Sequence, residues 1–422
     1  MNSKIKENLL YCIICLILII PSLNYYLSEM MVKAWGTNSP TPILYILLYI
    51  SSFAFLFILL KRKTSVFLAF LFLAVFVLVN IVVFNNFHFS FTSWEDLPGN
   101  SLYRLLFLCL PLLFAPCLIK SYGSFFNKLY WFSLCNTIVA ILTFITFLLK
   151  HIEFDYMSFS YNVLFTSAFL FYFSIKNKRK ISLLVSIAAF IAASIAGSRG
   201  ALLSLLAFLL SFFFLIQNKK NTKKKIAVFV VISCLAAIII MNFESIVSLL
   251  FRITGSQDFD SRILDRIKEG SFFTDKNRSL IYSSVFRSLF DHPIVGHGLF
   301  GDIKVVSLNV SAYPQGTYTH NFFLEFLCEL GVFFGIICLL CLALYLLLFL
   351  RKNKTNNLYD FVIILLCCDF VRLLFSGSYL TSSLFFFMVG LSVYHSRYPK
   401  KTVSTNALAC KNSFSKSLFQ IE

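Results

Sequence analysis

Arg199 lies between two glycines, in Gly197-Ser198-Arg199-Gly200, at the break in an apolar stretch that runs from Ile181 to Ile216. A guanidinium in such surroundings is costly unless it snorkels to the membrane surface or binds an anion. Two readings follow. One is an interfacial anchor; the other is an anion site, where the glycines let a phosphate approach the backbone and the dipole of the following helix adds to the attraction. Leu203, one turn on, shares its face.

His320 offers a different chemistry. An imidazole titrates near neutrality, so it can take a proton from a hydroxyl nucleophile. It heads a long apolar segment. Gly331, eleven residues later, is expected on the same helical stripe about three turns away, where a glycine would let a helix or lipid chain pack close below the ring. The plainer alternative is a histidine that only caps its helix.

Between these two residues runs a segment rich in arginine. Residues 261–269 and 278–290 place apolar side chains at helical spacing (Ile263, Leu264, Ile267; Leu280, Ile281, Val285, Leu289) against Arg262, Arg266, Lys268, Arg278 and Arg287. That pattern predicts amphipathic helices lying on the membrane surface, their cationic faces toward headgroups or a lipid-linked anion. Taken singly, each arginine is better explained by a headgroup. Together with Arg199 they could clamp a pyrophosphate. A glycine-rich turn, Pro293 to Gly301, follows.

Other groups are set aside. The Asp258-Phe259-Asp260 pair reads as solvated loop; His292, His297 and His320 lack the spacing of a zinc site, so no metal is expected. Asp369 and Arg372, three apart, read first as an ion pair within one helix, with Asp369 kept as a secondary site candidate because it is intramembrane.

The elements that must position these side chains are membrane helices. Only 13% of the 422 residues are charged, 59% are hydrophobic and the mean hydropathy is +0.81. So few charges cannot cover a water-facing surface. Apolar runs of about 20 residues recur, at about 8–29, 40–60, 64–86, 101–119, 129–149, 156–175, 181–197, 199–217, 226–242, 320–350, 358–373 and 380–396. An all-α integral membrane protein with about twelve spans is expected, as one polytopic domain over 1–422 with an external loop at 243–319 between the ninth and tenth spans. The first run could pass for a signal peptide, but no small-residue cleavage site follows it, and it is expected to be retained as a helix.

The net charge of +18 does not point to nucleic acid here, because the basic residues mark alternate loops. Lys61-Arg62-Lys63, Lys178-Arg179-Lys180, Lys223-Lys224-Lys225 and Arg351-Lys352 all fall on one side, which the positive-inside rule makes cytoplasmic, together with both termini. Nearly all of the twelve cysteines sit in apolar runs, and no structural disulfide is expected.

At the residues singled out above the chain resembles the O-antigen ligase and polymerase family of bacterial envelope glycosyltransferases. The resemblance rests on Arg199…Leu203, on His320…Gly331 within His-Asn-Phe-Phe-Leu-Glu-Phe-Leu-Cys-Glu-Leu-Gly, and between them on Arg278…Tyr282 and the run Pro293 to Leu299. It is sharpest over 195–345. It implies a GT-C-like, metal-independent, inverting glycosyltransferase of the bacterial cytoplasmic (inner) membrane, needing no cofactor, with its site facing the periplasm or cell exterior. The donor would be an undecaprenyl-diphosphate-linked glycan, Arg199, Arg278 and Arg287 would hold the diphosphate, and His320 would be the general base. Besides membrane lipids, the implied partners are an acceptor lipid-linked repeat unit or lipid A core, with room for a chain-length regulator.

The acceptor separates two activities within the family. A polymerase adds the chain to another lipid-linked repeat unit, and a ligase adds it to lipid A core. The run Gly-Ser-Arg-Gly-Ala-Leu-Leu and the glycines of 296–301 look more like the polymerase-type members. A lipid-linked sugar flippase is the reading from another class, since twelve helices with both ends inside is a common transporter plan; it calls for internal repeats and midplane charges, and no convincing repeat is evident.

Overall fold

The computed structural model describes residues 3–91, 101–150, 155–196, 198–216, 276–310, 317–354 and 356–397. Regular structure among these residues is helical, with no strand. In lipid this is what backbone chemistry demands, because a helix satisfies its N–H and C=O groups within itself.

In chain order the helices are α1 (Ser3–Glu29), α2 (Thr41–Arg62), α3 (Thr64–Val83), α4 (Ser101–Cys117), α5 (Tyr122–Lys150), α6 (Tyr156–Asn177), α7 (Lys180–Ala196) and α8 (Arg199–Ser211), the last prolonged by a π turn, Phe212–Ile216. The next described residues form α9 (Lys276–Ser288), followed by α10 (Gly301–Asn309), α11 (Phe322–Leu330) and α12 (Val332–Lys352). Helix α13 covers 357–375 and passes through a π turn, Leu366–Phe370; α14 is Ser383–Arg397.

Among the described residues six helices are long and apolar enough to cross a membrane: α1, α2, α3, α5, α6 and α12. Helices α4, α7, α8 and α14 are apolar but shorter. Of the twelve expected spans, 226–242 lies outside the described residues, as do about half of the expected loop at 243–319 and its segment 261–269. The protein is an integral membrane α protein.

Helix α6 is central. In its most apolar stretch 78% of residues are buried inside the protein, against 11% for α12. It packs on α5, α7 and α13, while α12 turns Phe333, Phe334, Ile336 and Leu340 outward. Side chains of that kind would be a liability in water and are suited to acyl chains. Since lipid tails do not drive apolar helices together, polar contacts help to join them. Buried Asn136 of α5 receives a hydrogen bond from Ser22 of α1 (3.1 Å) and donates one to Thr166 of α6 (3.1 Å).

Three expectations are corrected. The segment 320–350 is not one helix, because Gly331, at φ +79°, separates α11 from α12. A β-carbon there would sit 2.5 Å from the Ile294 carbonyl oxygen, and Phe333 N–H donates to the Pro293 carbonyl (3.0 Å). The glycine therefore lets the loop backbone press into the break. His320 (φ +55°) precedes the helix altogether, so His320 and Gly331 do not share a helical stripe. Nor does the apolar face of α9 lie on lipid. Ile281, Val285 and Leu289 are buried against Val305, Val306, Val310 and Cys328 in a small core of the loop's own.

Candidate functional site

Tyr161 of α6 is the hub of the site. Its hydroxyl is hydrogen-bonded by the side chains of Ser198 and Ser376, and it lies against Gly200 at the start of α8. The turn before α8 thus fixes the backbone on both sides of Arg199. Two guanidinium groups converge on this tyrosine. Arg278 of α9 acts on it electrostatically and donates through Nη1 to the Phe375 carbonyl at the end of α13 (2.8 Å). Arg372 lies over its ring, 5.7 Å from the centroid.

His320 joins this group through Tyr318, whose ring centroid is 4.0 Å from that of the imidazole. The Tyr318 hydroxyl accepts from Gly377 N–H, in the turn that follows α13. Burial pushes that hydroxyl up to about 12, against the lowering influence of Arg372. Ser198, Arg278, Arg372 and His320 are therefore gathered at one end of the helix bundle around two tyrosines. Cationic groups beside a histidine can hold a polyanionic leaving group and accept a proton from its displacer.

Behind His320 lies a feature that sequence reasoning missed. The carboxylates of Asp302, Glu325 and Glu329 are buried, with oxygens all within 4.8 Å of one another. Each accepts from the surrounding loops, and Glu325 and Glu329 share the turn at Ser378 and Tyr379. Asp302 accepts from Thr319 N–H (2.9 Å) and hydroxyl (2.8 Å); Glu329 accepts from Phe300 N–H (2.7 Å) and the Tyr379 hydroxyl; Glu325 accepts from the Ser378 hydroxyl and Tyr379 N–H (3.4 Å). Among the described residues none of the three forms an ion pair. Helix α11 precedes the membrane span, and burial holds both of its glutamates well above the ordinary carboxylate range, with the charge of Asp302 adding to the effect. Burial raises Asp302 too. The oxygens are close enough to ligate a cation, yet protein donors already occupy them.

Arg287 goes elsewhere. It is nine residues from Arg278 on α9, half a rotation round the helix, and lines a separate cavity of about 390 Å³ with Ser283, Ser284, Asp291 and Asn309. The Asp369–Arg372 pair is only marginally an ion pair, at 4.0 Å. Asp369 instead accepts from the Ser382 hydroxyl (2.6 Å), bracing the turn into α14. The glycine-rich turn is likewise structural: His297 N–H and Gly298 N–H donate to the carbonyls of Cys328 and Glu329, and Asn86 donates to the carbonyls of His297 and Leu299.

One signal for the missed residues was present. Glu325 and Glu329, four apart in an otherwise apolar run, must share a helical face, and two carboxylates there are not a lipid-facing pattern. Tyr161 and Tyr318 carried no such mark.

No curated protein and no solved structure matches the chain. Residues 183–340 match the family model described as O-antigen ligase. The matched stretch holds Ser198, Arg199, Arg278, the acidic cluster and His320, and leaves Tyr161 and Arg372 outside it. Over 183–340, somewhat more than a third of the chain, the protein is thus similar to the O-antigen ligase family.

Proposed function

We propose that the protein is an inverting membrane glycosyltransferase that polymerises undecaprenyl-diphosphate-linked repeat units into O-antigen or a related surface polysaccharide. The observation that carries this reading is the grouping of Arg278, Arg372 and His320 around Tyr161 and Tyr318, beside the start of α8. In the reaction an acceptor sugar hydroxyl attacks the anomeric carbon of the donor. The bond from that carbon to the diphosphate oxygen breaks, and the diphosphate leaves with the electron pair.

His320 takes the hydroxyl proton as the new glycosidic bond forms. Arg278 meets the charge that develops on the leaving diphosphate, with Arg372 beside it, and Arg199 is assigned the same role from its place in the sequence; forked guanidinium groups stabilise that charge without a metal. Arg287, on the opposite face of α9, is left to meet the glycan or a headgroup. The site faces the periplasm or cell exterior, with both termini in the cytoplasm, consistent with the basic loops. Transfer to lipid A core, the ligase activity, uses the same residues with a different acceptor.

The test is purified protein given a defined lipid-linked repeat unit, with and without lipid A core, the products sized by gel. Lengthened lipid-linked glycan is the expected result. Transfer to core alone would make the protein a ligase, and flipping in vesicles without new glycosidic bonds would overturn the transferase.

A further inference from the structure

His320 adopts a backbone conformation, φ +55°, that few residues other than glycine take up. Such a conformation persists only where its neighbours over-determine it. On one side Asn321 caps α11, its side chain accepting from Phe323 N–H (3.1 Å) and Leu324 N–H (3.2 Å). On the other, Thr319 is wholly buried and gives both its backbone N–H and its hydroxyl to a single oxygen of Asp302.

Asp302 is itself held firmly. It sits in the first turn of α10, which begins where Phe300 N–H meets Glu329. Lys304, in the same helix, donates to the Phe84 carbonyl at the end of α3 (3.0 Å). Thr319 is thus tied through Asp302 to a membrane helix far away in sequence. A hydrogen bond to a buried acid costs more to lose than an exposed one, because the abandoned donors find no water.

We propose that Asp302 is a positioning residue for His320: by gripping Thr319 through two hydrogen bonds it fixes the left-handed turn that sets the imidazole beside Tyr318. This rests on the reading of His320 as the base. The role needs an acceptor at Oδ2, not a charge. Asparagine, with its carbonyl toward Thr319 and its amide toward the glutamates, should serve in its place.

The test uses the full-length protein, with the lipid-linked repeat unit as substrate and with His320 modification by diethyl pyrocarbonate followed by mass spectrometry. For Asp302→Ala the expected result is a fall in kcat of about tenfold or more with KM changed by no more than about threefold, since misplacing a catalytic group weakens the chemical step before binding. Its His320 should label several-fold faster. Asp302→Asn and Thr319→Ser should return both readouts to near wild type, whereas Thr319→Val, which keeps the N–H and loses the hydroxyl, should fall between and serves if Asp302→Ala does not fold. Wild-type kcat and labelling in Asp302→Ala, or in Thr319→Val where only that folds, would overturn the proposal. So would an asparagine variant as impaired as the alanine one. An active His320→Ala would instead remove the base, leaving the labelling result to judge the positioning alone.

Discussion

Gly200 and Tyr161 are packed so closely that a β-carbon at position 200 would overlap the tyrosine hydroxyl. The contact joins the first turn of α8 to the central helix α6, beside Arg199. Gly200→Ala should therefore displace either the tyrosine or the turn. We expect a loss of about 1–3 kcal/mol in stability, typical of overpacking, together with a larger fall in transfer activity. Adding Tyr161→Phe removes the clashing oxygen, so the double variant should melt above Gly200→Ala alone; a thermal melt in detergent checks it, and additive losses would mean that the contact is not what limits the substitution.

The arginines of α9 should separate cleanly. Arg278 belongs to the Tyr161 group and Arg287 lines another cavity half a turn of the helix away. Removing a guanidinium that faces developing charge costs about 10²–10³ in rate, as for an oxyanion-hole donor. Arg278→Ala should lose activity on that scale, and Arg278→Lys should recover only part of it, because an ammonium lacks the fork. Arg287→Ala should stay within a few-fold of wild type. Steady-state rates for the three variants decide the matter, and equal losses at both positions would place the diphosphate elsewhere.

What could be read from the chain follows from how lipid constrains it. Apolar length set the helices, and Arg199 and His320 stood out because polar groups in such a chain are expensive; the fold brings the turn at Ser198 and Gly200 and the ring of His320 to one end of the bundle. The helix break at Gly331 was hidden by an uninterrupted apolar run. Its cause is tertiary: Gly296, at φ +68°, and Gly331 lie backbone to backbone, and neither has room for a side chain. The spacing pointed to Asp369, three residues away, as the partner of Arg372, a pair the structure keeps at 4.0 Å; its second neighbour, Tyr161, was not legible because only the fold brings it near. The same limit hid the grip of Asp302 on Thr319, seventeen residues apart.

The acidic cluster should make stability depend on pH. Burial raises Asp302, Glu325 and Glu329 above their unfolded values, the two glutamates strongly. An acid raised on folding stabilises the native state fully below its unfolded pKa, about 4, and that contribution is lost as pH rises through the native values. Melting temperature, measured between pH 4 and 9 or so, should fall with pH over this window. Asp302→Asn, Glu325→Gln and Glu329→Gln should each flatten the slope, since an amide stays uncharged. A slope unchanged in all three would assign the dependence to other groups.

His320→Ala should abolish transfer while leaving expression, membrane insertion and melting close to wild type. The imidazole meets Tyr318 at the edge of the site and lies outside the helix that follows it, so losing the ring removes little of the packing that holds α11. The left-handed backbone costs alanine somewhat more than histidine, but Thr319 and Asn321 still hold the turn. Chelation should leave the wild-type rate unchanged, because the leaving group is met by guanidinium groups and the cluster of carboxylates found near the site among the described residues is occupied by protein donors. Radiolabelled transfer assays with and without a chelator measure both effects. Substantial residual transfer by the alanine variant would show that another group, or solvent, takes the acceptor's proton.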